Sequence, residues 1–407
     1  MDTRDFGEEE ILHREKLNIR KIKVITWISF LLGFAEAFFI YIMSSYLKLS
    51  SGIENVGVFY LVSYSIILII YLNLHKIVKR FGKTDVFHFS LLGKIITIVF
   101  LLLVSPGIFA IALIILFIIF SSLEWASLDV ILESYSNDRM SGRIRGKFLT
   151  VINTGFLAGP FLSTWILERY DYHGIFLLLL VFSLIGLAIS IWGIKKTNHH
   201  FSADLTVKDV LKKVIVRKNI RKIFYISFVL EFFYALMVIY TPIYLIDLGI
   251  SWDKIGIIFT AMLLPFVILQ YPAGILADKK FGEKEFLIFA IAIMGLSTLA
   301  AYFISGKSIL IWSVILFSTR IGAALVEVLR DSYFYKRIDG YDVDIINIFR
   351  TAKPLAFICA SVISAIILLF LPIKIIFIAV GLIVLSALWP AIRLKDSQCE
   401  KEMGIKA

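Results

Sequence analysis

Long apolar runs, each broken by a short polar or turn-forming stretch, follow one another along almost the whole chain. Their spacing predicts helices over 24–47, 54–75, 86–105, 107–132, 145–168 and 172–194, and after a longer polar stretch over 220–246, 253–276, 285–304, 308–333, 344–370 and 372–393. Runs of about twenty apolar residues are the length a helix needs to cross roughly 30 Å of hydrocarbon. In lipid every backbone N–H and C=O must be bonded internally, so only helices or closed barrels span it, and these runs are twice as long as barrel strands. The expected fold is an all-α membrane protein of twelve transmembrane helices in two pseudo-symmetric six-helix bundles.

Composition agrees, with 59% hydrophobic and only 18% charged residues, too few charges for a water-facing surface. A formal charge of +11 suggests no nucleic-acid partner, because the basic residues fall in short segments between the runs rather than in a stripe. They are unevenly placed. With the N-terminus inside, thirty-two Lys and Arg fall in inner segments and five in outer loops. That asymmetry predicts cytoplasmic N- and C-termini, in a multi-pass protein of the plasma membrane. The first run starts near Val24, after a mixed-charge segment, and is too long for a signal peptide, so it reads as the first span. Two cysteines, Cys359 and Cys399, define no disulfide framework.

The expected organisation is an N-terminal segment (1–23), a first bundle (24–194), a linker (195–219), a second bundle (220–393) and a tail (394–407). From Val207 to Lys222, apolar Val207, Val210, Leu211, Val214 and Ile215 oppose a lysine face, the pattern of an amphipathic helix on an anionic leaflet. The halves repeat at an offset of 198 residues: Ile28-Ser-Phe-Leu-Leu matches Ile226-Ser-Phe-Val-Leu, and Asp129-Val-Ile-Leu-Glu133-Ser-Tyr135 matches Glu327-Val-Leu-Arg-Asp331-Ser-Tyr333. Parallel six-helix repeats are a transporter architecture with the site at mid-membrane between them.

Three segments resemble the major facilitator superfamily, and the resemblance covers all twelve spans. Gly274-Ile-Leu-Ala-Asp278-Lys-Lys-Phe-Gly282-Glu-Lys284 is similar to the family's signature loop, and Arg139 to Lys147, with Arg143, Arg145 and Gly146, to the basic loop opening the fifth span. Gly146, Gly155 and Gly159-Pro160 resemble the antiporter motif typical of proton-coupled exporters. Two departures stand out. The loop between spans 2 and 3 reads His75-Lys-Ile-Val-Lys79-Arg-Phe-Gly82-Lys, with Lys79 where the repeat has Asp278, and Pro160 is followed by Phe161-Leu-Ser-Thr164 instead of a glycine pair. Independently of the family, Gly155 and Gly159 share one helical face and permit close helix approach, and Pro160 removes a backbone donor.

A charge inside the bilayer is costly unless paired or hydrated, so each is a candidate functional group. Near mid-depth lie Glu36, Glu231 and Arg320, with Glu124 nearer the inside, one on each of spans 1, 7, 10 and 4, which by the resemblance line the central cavity. Acids in apolar surroundings can exchange a proton near neutral pH. Arg320 stays charged and suits an anionic group or an acid partner. A second group, Lys94, Asp129, Glu133, Glu327, Arg330, Asp331, Arg350 and Lys353, with Asp278 in its loop, reads as an inner gate. Asp278 is expected to pair with Arg330 or Arg350, and Lys79 with Glu133; ordinary helix-end ion pairs are the competing reading. Tyr41, Tyr64, Tyr234, Tyr240 and Tyr271 are candidate cavity aromatics. The six histidines all fall in loops or at helix ends, poorly placed for proton relay or metal.

With no Walker loop, no His-Glu-x-x-His and no catalytic His or Cys pair, neither an enzyme nor an ATP-driven pump is expected, and no cofactor or metal. The resulting expectation is a monomeric secondary transporter in which protons drive efflux of a small amphiphilic solute. The alternative is a proton-coupled importer of a sugar, organic acid or peptide fragment.

Overall fold

The computed structural model describes residues 19–53, 55–133, 135, 141–194, 216–338 and 343–395. Most of the linker, including all but the end of the amphipathic segment, lies outside the described residues, as do the side chains of Glu133, Arg143 and Arg145. The described residues form helices α1 (Ile19–Ala37), α2 (Met43–Ser51), α3 (Gly57–Leu72), α4 (Leu74–Phe81), α5 (Lys83–Leu103), α6 (Ile108–Glu133) and α7 (Ser141–Gly193) in the N half. The C half holds α8 (Lys218–Asp247), α9 (Trp252–Leu276), α10 (Lys284–Ala301), α11 (Ile309–Tyr335), α12 (Val343–Arg350), α13 (Ala352–Phe370), α14 (Ile375–Ser386) and α15 (Leu388–Ile392). A π-helical turn, Ala277–Phe281, carries the signature loop beyond α9. Among the described residues, nine helices are long and apolar enough to cross a membrane.

The apolar runs and the helices coincide closely, since runs of this hydropathy have no other way to satisfy their backbones in lipid. The differences are interruptions. The run expected over 24–47 breaks at Phe38–Ile42, a turn in which the Glu36 carbonyl accepts from both Phe39 and Ile40. The runs at 54–75 and 344–370 break at Asn73 and Thr351. In α7 the chain reverses at Asp171, whose backbone is left-handed (φ 55°), with its carboxylate accepting from the Tyr172 N–H at 2.8 Å.

Two helix pairs make the most extensive contacts between the halves. The first part of α7 packs along α9, and α3 along α13. Both ends of the first pair rest on glycine. A Cβ on Gly146 would lie 2.9 Å from the Gln270 carbonyl, and one on Gly256 would strike Thr164 and approach the Pro160 carbonyl at 3.2 Å. Within the N half, α7 also lies on α1: a Cβ on Gly155 would sit 3.0 Å from the Phe30 carbonyl, and one on Gly159 only 2.7 Å from the Ala37 carbonyl. These glycines let backbones meet where lipid supplies no hydrophobic drive for association.

Both ends of the described chain emerge on one face. Lys21 near the start of α1 donates to Tyr135 beyond α6 (3.1 Å), and Asn219 at the start of α8 accepts from the Lys395 N–H after α15 (3.4 Å). Cross-half contacts lie toward both faces. Arg350 reaches Ala126 on the terminal side, while Tyr240 donates to Asn55 (3.1 Å) on the other. Between them the Tyr64 ring stacks on Phe357, centroids 4.0 Å apart.

Candidate functional site

The densest polar cluster inside the N half is built on three helices. Lys94 of α5, 0% exposed, directs its ammonium between two acids, 2.7 Å from Glu124 Oε2 on α6 and 3.3 Å from Glu36 Oε1 at the end of α1. Ser121 also donates to Glu36 Oε1, and the Trp125 indole N–H to Glu36 Oε2 at 2.9 Å. Ser121, Glu124 and Trp125 face one way because residues three and four apart share a helical face. Next to Lys94, Gly93 brings α5 against α6, where a Cβ would meet the Phe120 ring at 2.5 Å. Two carboxylates share one cation, so with all three ionised the cluster keeps a net negative charge in a medium that tolerates none cheaply.

The sequence placed Lys94 with the inner-gate charges. Its contacts place it with the mid-membrane acids instead. Depth counted along one helix cannot anticipate this, because a lysine side chain carries its charge several ångströms from its own Cα.

The C half has its own ion cluster. Arg330 on α11 donates to Glu231 Oε1 on α8 (2.9 Å) and to Ser227 Oγ (2.6 Å), with Asp331 Oδ1 3.4 Å from its Nε. One turn earlier Glu327 accepts from Gln270 Nε2 (2.7 Å), whose Oε1 accepts from Asn153 Nδ2 across the halves (3.0 Å). Glu231 is therefore partnered by Arg330, and Arg330 is not the partner of Asp278.

Arg320 stands apart. It is 2% exposed and forms no ion pair among the described residues; its guanidinium carbon lies 4.8 Å from the Phe233 ring centroid and 5.8 Å from that of Tyr234. Its Nη1 and the Tyr234 hydroxyl are both buried without a hydrogen-bond partner among the described residues. Tyr41 and Glu327 are within electrostatic reach, and Tyr41 rests beside Phe259 of α9 at 5.4 Å.

The gate charges pair differently from the expectation. Asp278 lies 2.8 Å from Lys336, which also binds Glu283 (2.6 Å), a residue accepting in turn from Ser332 (2.8 Å). This knot joins the signature loop to the end of α11 within one half. Burial pushes the Glu283 carboxyl above its ordinary 4.5 against the opposing pull of Lys336. Lys336 itself is raised above 10.5, the two acids outweighing its burial. Arg350 instead crosses between halves, donating to the Ala126 carbonyl (2.8 Å) with Asp129 at 3.7 Å. Lys353 is half-buried, within electrostatic reach of the Tyr71 hydroxyl. Lys79 is exposed, and its expected partner Glu133 has its side chain outside the described residues. Of the candidate aromatics, Tyr64 and Tyr240 join the halves, Tyr41 and Tyr234 flank Arg320, and Tyr271 is exposed.

Sequence reasoning missed Ser121, Trp125, Ser227, Asn153, Gln270, Glu283 and Lys336. Neutral polar residues in a span carry no hydropathy signal strong enough to stand out. Two had markers: Ser227 falls within the repeated Ile-Ser-Phe segment, and Glu283 within the Gly274–Lys284 loop.

No curated protein sequence matches the chain. The structure superposes on the crystal structure of the human organic anion transporter MFSD10 (TETRAN) with a TM-score of 0.70 at 13% identity, covering 91% of this chain and 99% of that one, a shared fold. The Major Facilitator Superfamily profile matches residues 25–329 and, in an overlapping second alignment, 247–401. Twelve-run hydropathy, the Gly274–Lys284 loop, helix pairs meeting across two interfaces and this profile agree, and the chain belongs to the major facilitator superfamily of membrane transporters.

Proposed function

We propose that this protein is a proton-coupled secondary transporter that exports small amphiphilic solutes by alternating access, with Glu36, Lys94 and Glu124 as its proton-responsive centre. Family membership supports secondary transport of a solute; the buried triad is the observation that carries the coupling. Glu36 accepts from Lys94, Ser121 and Trp125, whereas among the described residues Glu124 accepts from Lys94 alone. Glu124 is accordingly assigned the mobile proton and Glu36 the standing charge that holds Lys94. When Glu124 is neutral, Lys94 is balanced by Glu36 and the cluster carries no net charge, the condition under which the N half moves most cheaply through an apolar surround. When Glu124 is ionised, the extra charge favours an arrangement open to water. The Gly159–Ala37 backbone contact lies one residue from Glu36 and serves as the seal against proton leak. The reading includes twelve spans, both termini in the cytoplasm of a plasma-membrane protein, a monomeric state, and Arg350–Asp129 as the contact that opens on the terminal face.

The departure after Pro160 favours the importer of a sugar, organic acid or peptide fragment as a second reading, because Thr164 occupies the α9 contact at Gly256 where the antiporter motif has a glycine pair. Proteoliposomes with an imposed pH gradient separate these readings by the direction of accumulation. The Glu124→Gln protein should retain exchange of solute down its own gradient while losing accumulation driven by pH. Transport indifferent to the gradient in the parent protein would end the proton-coupled reading.

A further inference from the structure

The repeat offset of 198 residues sets Glu36 against Tyr234 and Ser122 against Arg320. Glu36, the acid that gathers the N-half triad, and the Tyr234–Arg320 pair of the C half therefore lie at corresponding places on corresponding helices. The two places differ in one respect: every charge of the N-half triad has a partner, whereas at the C-half position the Arg320 Nη1 and the Tyr234 hydroxyl are buried donors with nothing to bind among the described residues. Each unmet donor is costly away from water, and a guanidinium with no counter-ion more so. The nearest acid along the helix, Glu327, is two turns away, about 10 Å by helical rise, and is already held by Gln270. Around the two donors the surfaces are aromatic: the face of Phe233 under the guanidinium, and Tyr41 of the other half with Phe259 beside it.

Resting on the transport reading above, we propose that Arg320 and Tyr234 form the head-group site for an organic anion. The guanidinium and the phenol donate to its carboxylate, sulfonate or phosphate, and its apolar body lies on Phe233, Tyr41 and Phe259. A guanidinium offers a planar fork of donors that matches such oxyanions, which an ammonium does not. Because Tyr41 comes from α1–α2 and the other groups from α8, α9 and α11, the cargo touches both halves and can bias their relative position.

The test uses the full-length protein purified in detergent and isothermal titration with two size-matched probes, naphthalene-2-sulfonate and 2-naphthylmethylammonium. The parent should prefer the sulfonate by about tenfold or more, the worth of one charge-assisted contact. Arg320→Gln should lose that preference, Arg320→Lys keep a reduced one, and Tyr234→Phe weaken the sulfonate several-fold with the ammonium unchanged. A parent that binds neither probe, or takes the ammonium as well as the sulfonate, overturns the proposal. So does unchanged sulfonate affinity in Arg320→Lys and Tyr234→Phe, should Arg320→Gln fail to fold. No membrane or gradient enters this measurement, so a failed proton-coupling assay leaves the site standing, and a failed site leaves the coupling intact.

Discussion

Lys94 and Glu124 meet at 2.7 Å with neither side chain exposed, and Glu36 completes the pair from a helix 58 residues earlier in the chain. Removing a buried ion's partner leaves an uncompensated charge, which costs about 3–5 kcal/mol. Lys94→Met should therefore lower the thermal unfolding midpoint sharply, and adding Glu36→Gln and Glu124→Gln should restore much of it without restoring pH-driven transport. A triple variant no more stable than Lys94→Met would mean that packing, not charge balance, dominates at this site.

The two glycines on the α1 face of α7 are predicted to differ. At Gly159 an added methyl meets the Ala37 backbone carbonyl at 2.7 Å, and at Gly155 the nearest atom is at 3.0 Å. Backbone cannot yield as a side chain can, so Gly159→Ala should cost about 1–3 kcal/mol and Gly155→Ala clearly less. Differential scanning of both variants decides it, and equal losses would contradict the close approach at Ala37.

Arg350 ties the halves on the terminal face, through the Ala126 carbonyl and Asp129. In a background lacking Cys359 and Cys399, Arg350→Gln should speed alkylation of a cysteine at Ser122 about fivefold, the effect of ~1 kcal/mol across the interface. Asp129→Asn should act in the same direction, and the double variant should add little. Fully additive effects would show that the two residues do not interact.

The Lys336 knot predicts a pH signature. The folded Lys336 holds its proton above the ordinary 10.5, so its contribution is fully present below that value and fades as pH rises through the raised one. Glu283 is raised from 4.5 and shifts stability with the same sign: the folded state holds its proton more tightly, so stability declines as pH rises above 4.5. Melting profiles of the parent and Lys336→Met should be separated at neutral pH and converge well above 10.5. A constant separation throughout would remove the knot as a source of alkaline instability.

Which segments become helices was legible from residue order, because lipid leaves an apolar run of twenty residues no other way to bond its backbone. The expected 107–132 and 253–276 appear as Ile108–Glu133 and Trp252–Leu276. The close-packing glycines were legible too, since residues four apart share a face whatever the helix meets. The interruption at Phe38–Ile42 was not, as nothing in that aromatic stretch breaks a helix locally and the turn lies where α7 presses on Ala37.

Which charge answers which was decided only by tertiary structure. Lys94 joined Glu36 and Glu124, Arg330 took Glu231, Lys336 took Asp278, and Arg320 was left with aromatic faces. Hydropathy and helical period act through neighbours a few residues apart and so are written along the chain. Pairing inside a bilayer depends on the rotation and depth of helices from distant parts of the sequence, and side chains as long as lysine and arginine place their charge well away from their own position in the chain.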